Sequence, residues 1–178
     1  GIETNSGLTY NPSTGALITA GVITAKQRHV MNCGFLWSSA VKSYLPFGYG
    51  GNVSTNSTSK TEYYSVIVPC KGYVESVIVR SEFELMGGHH GSTHVGLHVA
   101  SDGTETPPIG TYVGSKATVD MSSKNTSYKF SPEGSSWGFD EGQAIAISID
   151  TTYNDGGYSG GQDAIATAVL VLDWNNSL

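Results

Sequence analysis

Alternation of apolar and polar residues with a period of two recurs along this chain and limits what it can fold into. Residues 93–100 place Val95, Leu97 and Val99 on one side, with histidine and glycine between them. Residues 144–150 repeat the pattern with three isoleucines. Because successive side chains of a strand point to opposite faces, each segment predicts a strand with one buried and one polar face. Residues 164–174 are apolar on both faces, which is typical of a central strand.

Further strand patterns fill the rest of the chain between clusters of turn residues. Residues 62–68 and 73–80 alternate with period two, and weaker patterns lie at residues 111–113, 117–121 and 127–130. The sequence Pro-Cys-Lys-Gly at residues 69–72 predicts a hairpin turn between the first two. A connector rich in Gly, Ser and Asn covers residues 37–56. Roughly seven or eight strands at a spacing of about 8–12 residues, without a helical stretch, predict an all-β fold, a β-sandwich of jelly-roll type.

The first 30 residues have a different texture from the remainder. Very short β segments are predicted there, at residues 8–10, 16–19 and 22–24. Between the first two, Asn-Pro-Ser-Thr-Gly at residues 11–15 predicts a turn, since Pro presets φ and Gly accepts a positive φ. Such short strands cannot bury a core alone, but three chains wound together could bury their apolar side chains. We therefore expect a trimeric β-stalk or connector at 1–30 and a β-sandwich head at 31–178.

Charge and composition exclude several classes of function. The net charge is −6 and the pI about 5.2, and no Lys/Arg cluster could attract a phosphate backbone locally, so nucleic acid is not an expected partner. No apolar run approaches the roughly 20 residues needed to cross a bilayer, so membrane insertion is not expected. The chain starts Gly-Ile-Glu-Thr-Asn, without an initiator Met or a signal sequence. We expect it to be a processed piece of a longer protein.

The two cysteines are too few for a disulfide framework. Cys33 and Cys70 have no CxxC spacing, so we expect two free, buried thiols rather than a bond between them.

Two motifs suggest catalysis, and their context argues against it. Residues 157–161 match the G-x-S-x-G pattern, which would make Ser159 a nucleophile between a strand and a helix. A predicted strand follows instead, and every histidine lies upstream, so we interpret the motif as a glycine-rich loop. Glycoside hydrolysis needs two carboxylates about 5–9.5 Å apart. No spacing singles out such a pair among the acidic loop residues Glu133, Asp140, Glu141, Asp155 and Asp163. We therefore expect no enzymatic activity.

Four clustered histidines, His89, His90, His94 and His98, raise the question of a metal. On a strand, His94 and His98 stand roughly 13 Å apart, too far for one ion. A three-fold axis could instead bring three copies of either residue together. The preferred interpretation is solvated histidines and neither a metal nor a cofactor.

Aromatic side chains in or beside predicted loops are the candidate receptor contacts. They are Tyr112, Trp137, Tyr153 and Tyr158. An aromatic ring there can stack on a sugar face or anchor a protein contact. Because Trp137 precedes Gly138 and Phe139, the alternative for this residue is packing into one end of the sandwich.

The opening of the chain resembles a known viral segment. Residues 6–17, Ser-Gly-Leu-Thr-Tyr-Asn-Pro-Ser-Thr-Gly-Ala-Leu, and 21–25, Gly-Val-Ile-Thr-Ala, resemble a pattern that recurs in phage tail fibres and related virion appendages. More loosely, residues 63–74, 139–148 and 169–174 are similar to the C-terminal heads of structural proteins from marine phages, including those infecting cyanobacteria. Those heads commonly have F-x-x-G-D before a strand, and Gln143 replaces that Asp here, which puts any role of the Asp in doubt.

This resemblance implies a trimeric head on a narrow stalk, located on a virus particle and lacking a cofactor or catalytic set. The implied partners are two sister chains, other virion proteins through the stalk, and a host surface glycan or outer-membrane protein. A receptor-binding fibre head is thus the first hypothesis. A capsid decoration, knob or neck fibre is the second, and a tail-associated glycan hydrolase the third.

Overall fold

The computed structural model describes residues 8–11, 13, 16–19, 26–37, 42–47, 64–82, 90–101, 112–132, 137–153 and 162–174. Their strands are β1 (Leu8–Asn11), β2 (Ala16–Thr19), β3 (Lys26–Trp37), β4 (Ser43–Tyr44), β5 (Val66–Ile67), β6 (Gly72–Ser81), β7 (His90–Ala100), β8 (Ala117–Val119), β9 (Ser127–Phe130), β10 (Trp137–Phe139), β11 (Ala144–Tyr153) and β12 (Gln162–Asp173). Within these ranges the chain is all-β, and it contains no helix long and apolar enough to span a membrane.

Two five-stranded antiparallel sheets make up the body of the molecule. Sheet I has the order β10-β6-β12-β3, with β9 also paired to β6. Sheet II has the order β4-β11-β7-β8, with β5 also paired to β11. From β3 onward, strands from the two ends of the chain pair with one another. β3 pairs with β12, β4 and β5 pair with β11, β6 pairs with β9 and β10, and β7 pairs with β8. This nested pairing of one long hairpin folded into two sheets is a jelly-roll arrangement.

The hydrophobic core lies between the two sheets. Val95, Leu97 and Ile147 of sheet II and Ala166 and Ala168 of sheet I belong to one cluster and are each at most 2% exposed. The predicted apolar faces of β7 and β11 are thus confirmed. Each fully buried Val, Leu or Ile contributes about 1.5–3 kcal/mol of transfer free energy. This core fixes which face of each sheet points outward.

The N-terminal hairpin was predictable from its turn. β1 and β2 pair antiparallel from Leu8 opposite Thr19 to Asn11 opposite Ala16, which confirms the predicted strands and the turn between them. The hairpin belongs to neither large sheet. The predicted segment 22–24 lies outside the described residues.

The sequence pattern does not predict strand β3. It pairs with β12 along its whole length, from Lys26 opposite Asp173 to Trp37 opposite Gln162. It therefore spans the predicted boundary at residue 30, and a boundary that leaves β3 intact would lie before Lys26. The division into stalk and head stays a prediction.

One predicted connection and one predicted strand are wrong. Residues 69–72 do not close a hairpin, because β5 pairs with β11 in sheet II while β6 belongs to sheet I. The chain turns there to cross from one sheet to the other. The predicted strand at 111–113 is also wrong for its described residues, since residues 112–116 form no strand; Val113 N–H donates to the Leu97 carbonyl at 2.8 Å.

Both cysteines are free thiols, as predicted. Cys70 is buried and Cys33 half-buried. Burial raises the pKa of Cys33 to about 12 and also raises the pKa of Cys70.

Candidate binding surfaces

Of the four candidate receptor contacts, Tyr112 is the one whose side chain is described and partly accessible. Tyr153 is the last residue of β11, opposite His90, and its side chain is outside the described part of the structure. Tyr158 lies outside the described residues altogether.

Trp137 cannot contact a receptor in this fold. Its side chain is 0% exposed, and its indole N–H donates to the Ser115 carbonyl at 2.9 Å. It opens β10 opposite Val74, at the edge of sheet I, with its ring in the inter-sheet core. The prediction of a binding role for Trp137 is therefore wrong, and the alternative of packing is confirmed. In this short Trp-Gly-Phe strand, the Trp side chain buries its surface in the core and does not lie at the tip of a loop.

The Tyr112 ring packs against the outer face of sheet II at Gly96. A Cβ atom added to Gly96 would fall 2.0 Å from Tyr112 Cδ1, so the absent side chain leaves the space that the ring occupies. The Tyr112 hydroxyl donates to Asp150 Oδ2 at 2.8 Å, and Lys116 Nζ donates to the same oxygen at 3.1 Å. Two strands distant in sequence, β7 through Gly96 and β11 through Asp150, thus hold this ring in place.

Two lysines approach the Tyr112 ring. Lys42 Nζ lies 4.6 Å and Lys116 Nζ 4.4 Å from the ring centroid, within cation–π range. Burial lowers the pKa of Lys42, an effect that nearby Lys116 strengthens. Burial also opposes the charge of Lys116, but its hydrogen bonds to Asp150 and Tyr112 raise its pKa overall. Burial raises the pKa of Tyr112, so the phenol stays neutral as a hydrogen-bond donor. We call Lys42, His98, Tyr112, Lys116 and Asp150 the Tyr112 cluster.

His98 is a buried member of this cluster. Its side chain is 0% exposed, its Nε2 lies 2.8 Å from Ser148 Oγ, and its ring packs edge-on to Tyr44 and 4.5 Å from Tyr112. The interpretation of His98 as solvated is wrong, because the outward face of β7 is covered here. His94 is half-buried, with Nδ1 2.8 Å from Thr118 Oγ1.

No group of three potential metal ligands occurs among the residues whose side chains are described. A three-fold metal site at His94 or His98 stays an untested prediction. The burial of His98 inside its own chain leaves His94 as the more accessible of the two.

The acidic candidates that the structure describes lie in a turn or near a strand end. Residues 157–161 are outside the described ranges, and β12 begins at Gln162, so a strand follows them as predicted. Asp140, Glu141 and Asp163 are exposed, whereas Glu133 and Asp155 are not described. Asp140 Oδ1 lies 3.6 Å from Lys71 Nζ in an exposed ion pair.

A cleft of about 510 Å³ lies at one end of the sandwich, where β3 and β6 begin and β7, β10 and β12 end. We call it the end cleft. Its polar lining consists of Lys26, Lys71, Tyr73, Asp140, Gln143 and Asp173. Phe139 and two valines form the apolar floor. Sequence patterns could not reveal this site because the residues come from strands far apart in the chain.

Comparisons with known proteins gave structural likenesses alone. No family model and no curated protein matches the chain. A chain of the cyanophage Pam1 capsid asymmetric unit is similar with a TM-score of 0.36 and 17% identity, over 92% of this chain and 97% of that one. A chain of the infectious bursal disease virus Gt strain structure is similar with a TM-score of 0.38 and 10% identity, over 94% of this chain and 38% of that one. Both TM-scores are too low to establish a shared fold.

Proposed function

We propose that this chain is a non-enzymatic structural protein of a phage particle, the head of a trimeric fibre-like appendage that presents a host-binding surface. The observation that supports it most is the pairing of the phage-fibre-like opening segment into a short hairpin, β1–β2, that joins neither sheet of the jelly-roll head. A fold of this class occurs in many virus structural domains, although a fold alone does not fix a function.

Trimerisation follows from the small size of the hairpin. Two strands of four residues each cannot bury enough apolar surface to be stable alone. Three hairpins around one axis could share their apolar side chains. Closed three-fold symmetry also suits attachment, because three weak sites on one rigid body gain avidity without a tight single site.

The oligomeric state is tested by sedimentation of the full chain at micromolar concentration. The expected particle has three times the chain mass of 18.7 kDa. Leu17→Asp places a charge on the hairpin opposite Tyr10 and should dissociate the trimer. Ser13→Asp is the matched control, since Ser13 is an exposed turn residue of the same hairpin. A folded wild-type monomer would contradict the proposal.

The role on the particle is tested by a cryo-electron reconstruction of the virus that encodes the chain. Density for three copies at the distal end of a tail or neck fibre supports attachment. A copy number that follows the capsomers would instead identify a capsid decoration. Absence of the chain from the particle would refute a structural role.

A further inference from the structure

We propose that the end cleft binds a neutral saccharide. This inference rests on the proposed attachment function and names the ligand class of one site on the head. The site differs from the Tyr112 cluster, where lysines already occupy the space beside the ring.

The size of the cleft suits a ligand of one or a few sugar rings. Its volume of about 510 Å³ lies within the range of about 300–1,000 Å³ that is usual for small-molecule sites. The lining residues come from five strand ends and the segments next to them, so the backbone around the cleft is fixed by both sheets.

The charges of the cleft balance. Lys26 and Asp173 are direct cross-strand partners, and Lys71 Nζ lies 3.6 Å from Asp140 Oδ1. Because the lining holds two lysines and two aspartates, it has no excess of either sign. A charged ligand would be attracted to one member of each pair and repelled by the other. Hydroxyl groups suit such a surface, since each can donate to a carboxylate and accept from an ammonium group.

Gln143 supplies an oriented donor. The Asp140 backbone N–H donates to Gln143 Oε1 at 2.7 Å, so the oxygen of the amide points to the turn. This bond fixes the side chain and does not use its NH₂ group. The departure from the F-x-x-G-D pattern at Gln143 therefore places an amide, rather than a carboxylate, in the lining of the cleft.

Tyr73 supplies the aromatic wall. Its side chain is half-buried, and its neighbours across the strands are Gly138 and Val171. A ring that is fixed by sheet pairing and partly exposed can stack on the apolar face of a sugar. Gly72 next to it permits the close strand approach, because a Cβ atom there would lie 2.3 Å from the Val171 carbonyl oxygen.

The test is an NMR titration of the labelled full chain with neutral trisaccharides built from glucose, galactose, mannose or N-acetylglucosamine. Trigalacturonate serves as the acidic counterpart. We expect at least one neutral sugar to shift the backbone signals of Tyr73, Gly138 and Gln143 at millimolar concentration, and trigalacturonate to shift them less. No shift with any neutral sugar, or a stronger response to trigalacturonate, would overturn the proposal.

Variants localise the effect. Gln143→Glu keeps the acceptor for Asp140 N–H but replaces the NH₂ donor by a charged oxygen, so affinity should fall about tenfold or more. Tyr73→Ala should abolish the shifts, whereas Asp163→Asn, at the opposite end of β12, should leave them unchanged. Unchanged affinity in a folded Gln143→Glu protein would count against the site.

The two proposals fail separately. A fibre-tip position without sugar binding would remove this inference and leave attachment standing. Sugar binding by a chain that decorates the capsid would do the reverse.

Discussion

Replacing Gly96 by alanine should destabilise the head by displacing Tyr112. The added Cβ would lie 2.0 Å from Tyr112 Cδ1 and 2.3 Å from Cε1, whereas ordinary contact begins at 3.4 Å. The ring must therefore retreat by about 1.4 Å, the difference between the first and last of these distances. A displacement of that size lengthens the 2.8 Å hydrogen bond to Asp150 beyond bonding distance.

The cost follows from the contacts that the ring would lose. A hydrogen bond to a charged group is worth about 1.5–3 kcal/mol. Two cation–π contacts at a partly exposed site add about 0.5–1 kcal/mol each. Since Tyr112 is only half-buried, part of this is regained from water, and we expect a loss of about 2–4 kcal/mol in the free energy of unfolding. For a chain of this length that lowers Tm by roughly 5–15 °C.

Gly34→Ala is the matched control, because a Cβ atom at Gly34 meets nothing within 4 Å. That substitution should be neutral or stabilise β3 by about 0.5–1 kcal/mol through lost backbone entropy of the unfolded chain. Urea unfolding of both variants measures the difference. A Tyr112→Ala background completes a double-mutant cycle, in which the cost of Gly96→Ala should shrink by more than half. Equal costs in the two backgrounds, or equal effects of the two glycine variants, would refute the reasoning.

Three further results are expected. Native protein at pH 8 should react slowly with iodoacetamide, because burial raises the pKa of both cysteine thiols, and should yield two reactive thiols after unfolding; fewer than two would indicate a disulfide. Trp137→Phe should lower the free energy of unfolding by about 1–3 kcal/mol, because it removes a hydrogen bond and leaves a cavity. Trp174→Phe, at a 40% exposed site, should lower it by less than about 0.5 kcal/mol. Comparable unfolding midpoints of the two variants would contradict this. Hydrogen bonding to Arg28 lowers the pKa of Glu75 below its usual 4.5. Its contribution to the free energy of unfolding is therefore present above pH 4.5 and is lost as the pH falls through the lower folded-state pKa. Glu75→Gln should remove this part of the dependence of stability on pH in acid, and an unchanged dependence would show that the pair does not stabilise the fold.

Strands whose pattern is local could be predicted from the sequence. Residues 127–130 form β9 with the predicted bounds, and 73–80 and 144–150 lie inside β6 and β11. Each prediction needed only alternating side chains and flanking turn residues. The same information could not locate β3, because its first four residues, Lys-Gln-Arg-His, are exposed and have no apolar alternation. Its pairing with β12, far away in the sequence, decides its conformation.

The prediction of a hairpin at residues 69–72 is wrong for a related reason. The residues at 69–72 correctly indicate a turn, but a turn does not specify which strand is the partner of the one that follows. In this fold the partners of β6 are β9, β10 and β12, all later in the chain. Pairing between distant segments depends on the whole jelly roll, so it cannot be predicted from the residues of a four-residue turn.

The candidate sites show what alternation can and cannot indicate. It places His98 on the face of β7 opposite Leu97, which is correct, but it is silent on whether that face is covered. Tyr44 and Tyr64 are at most 3% exposed and form a second buried cluster with Ala146, the cross-strand partner of His98. Tyr44 lies in the predicted connector at residues 37–56 and Tyr64 in the predicted strand at 62–68, and neither pattern indicates that its ring covers sheet II.

This covered face has a consequence for recognition. A sheet face filled by the chain's own aromatic rings has little surface to offer a ligand, and the covered part of sheet II includes His98 and Ser148 at no more than 1% exposure. In the end cleft, by contrast, accessible polar groups lie where strands begin and end. Loops and strand ends on a rigid scaffold can vary without disturbing the core. If the end cleft binds a saccharide as we propose, substitutions at residues such as Gln143 would change its specificity while the jelly roll stays the same.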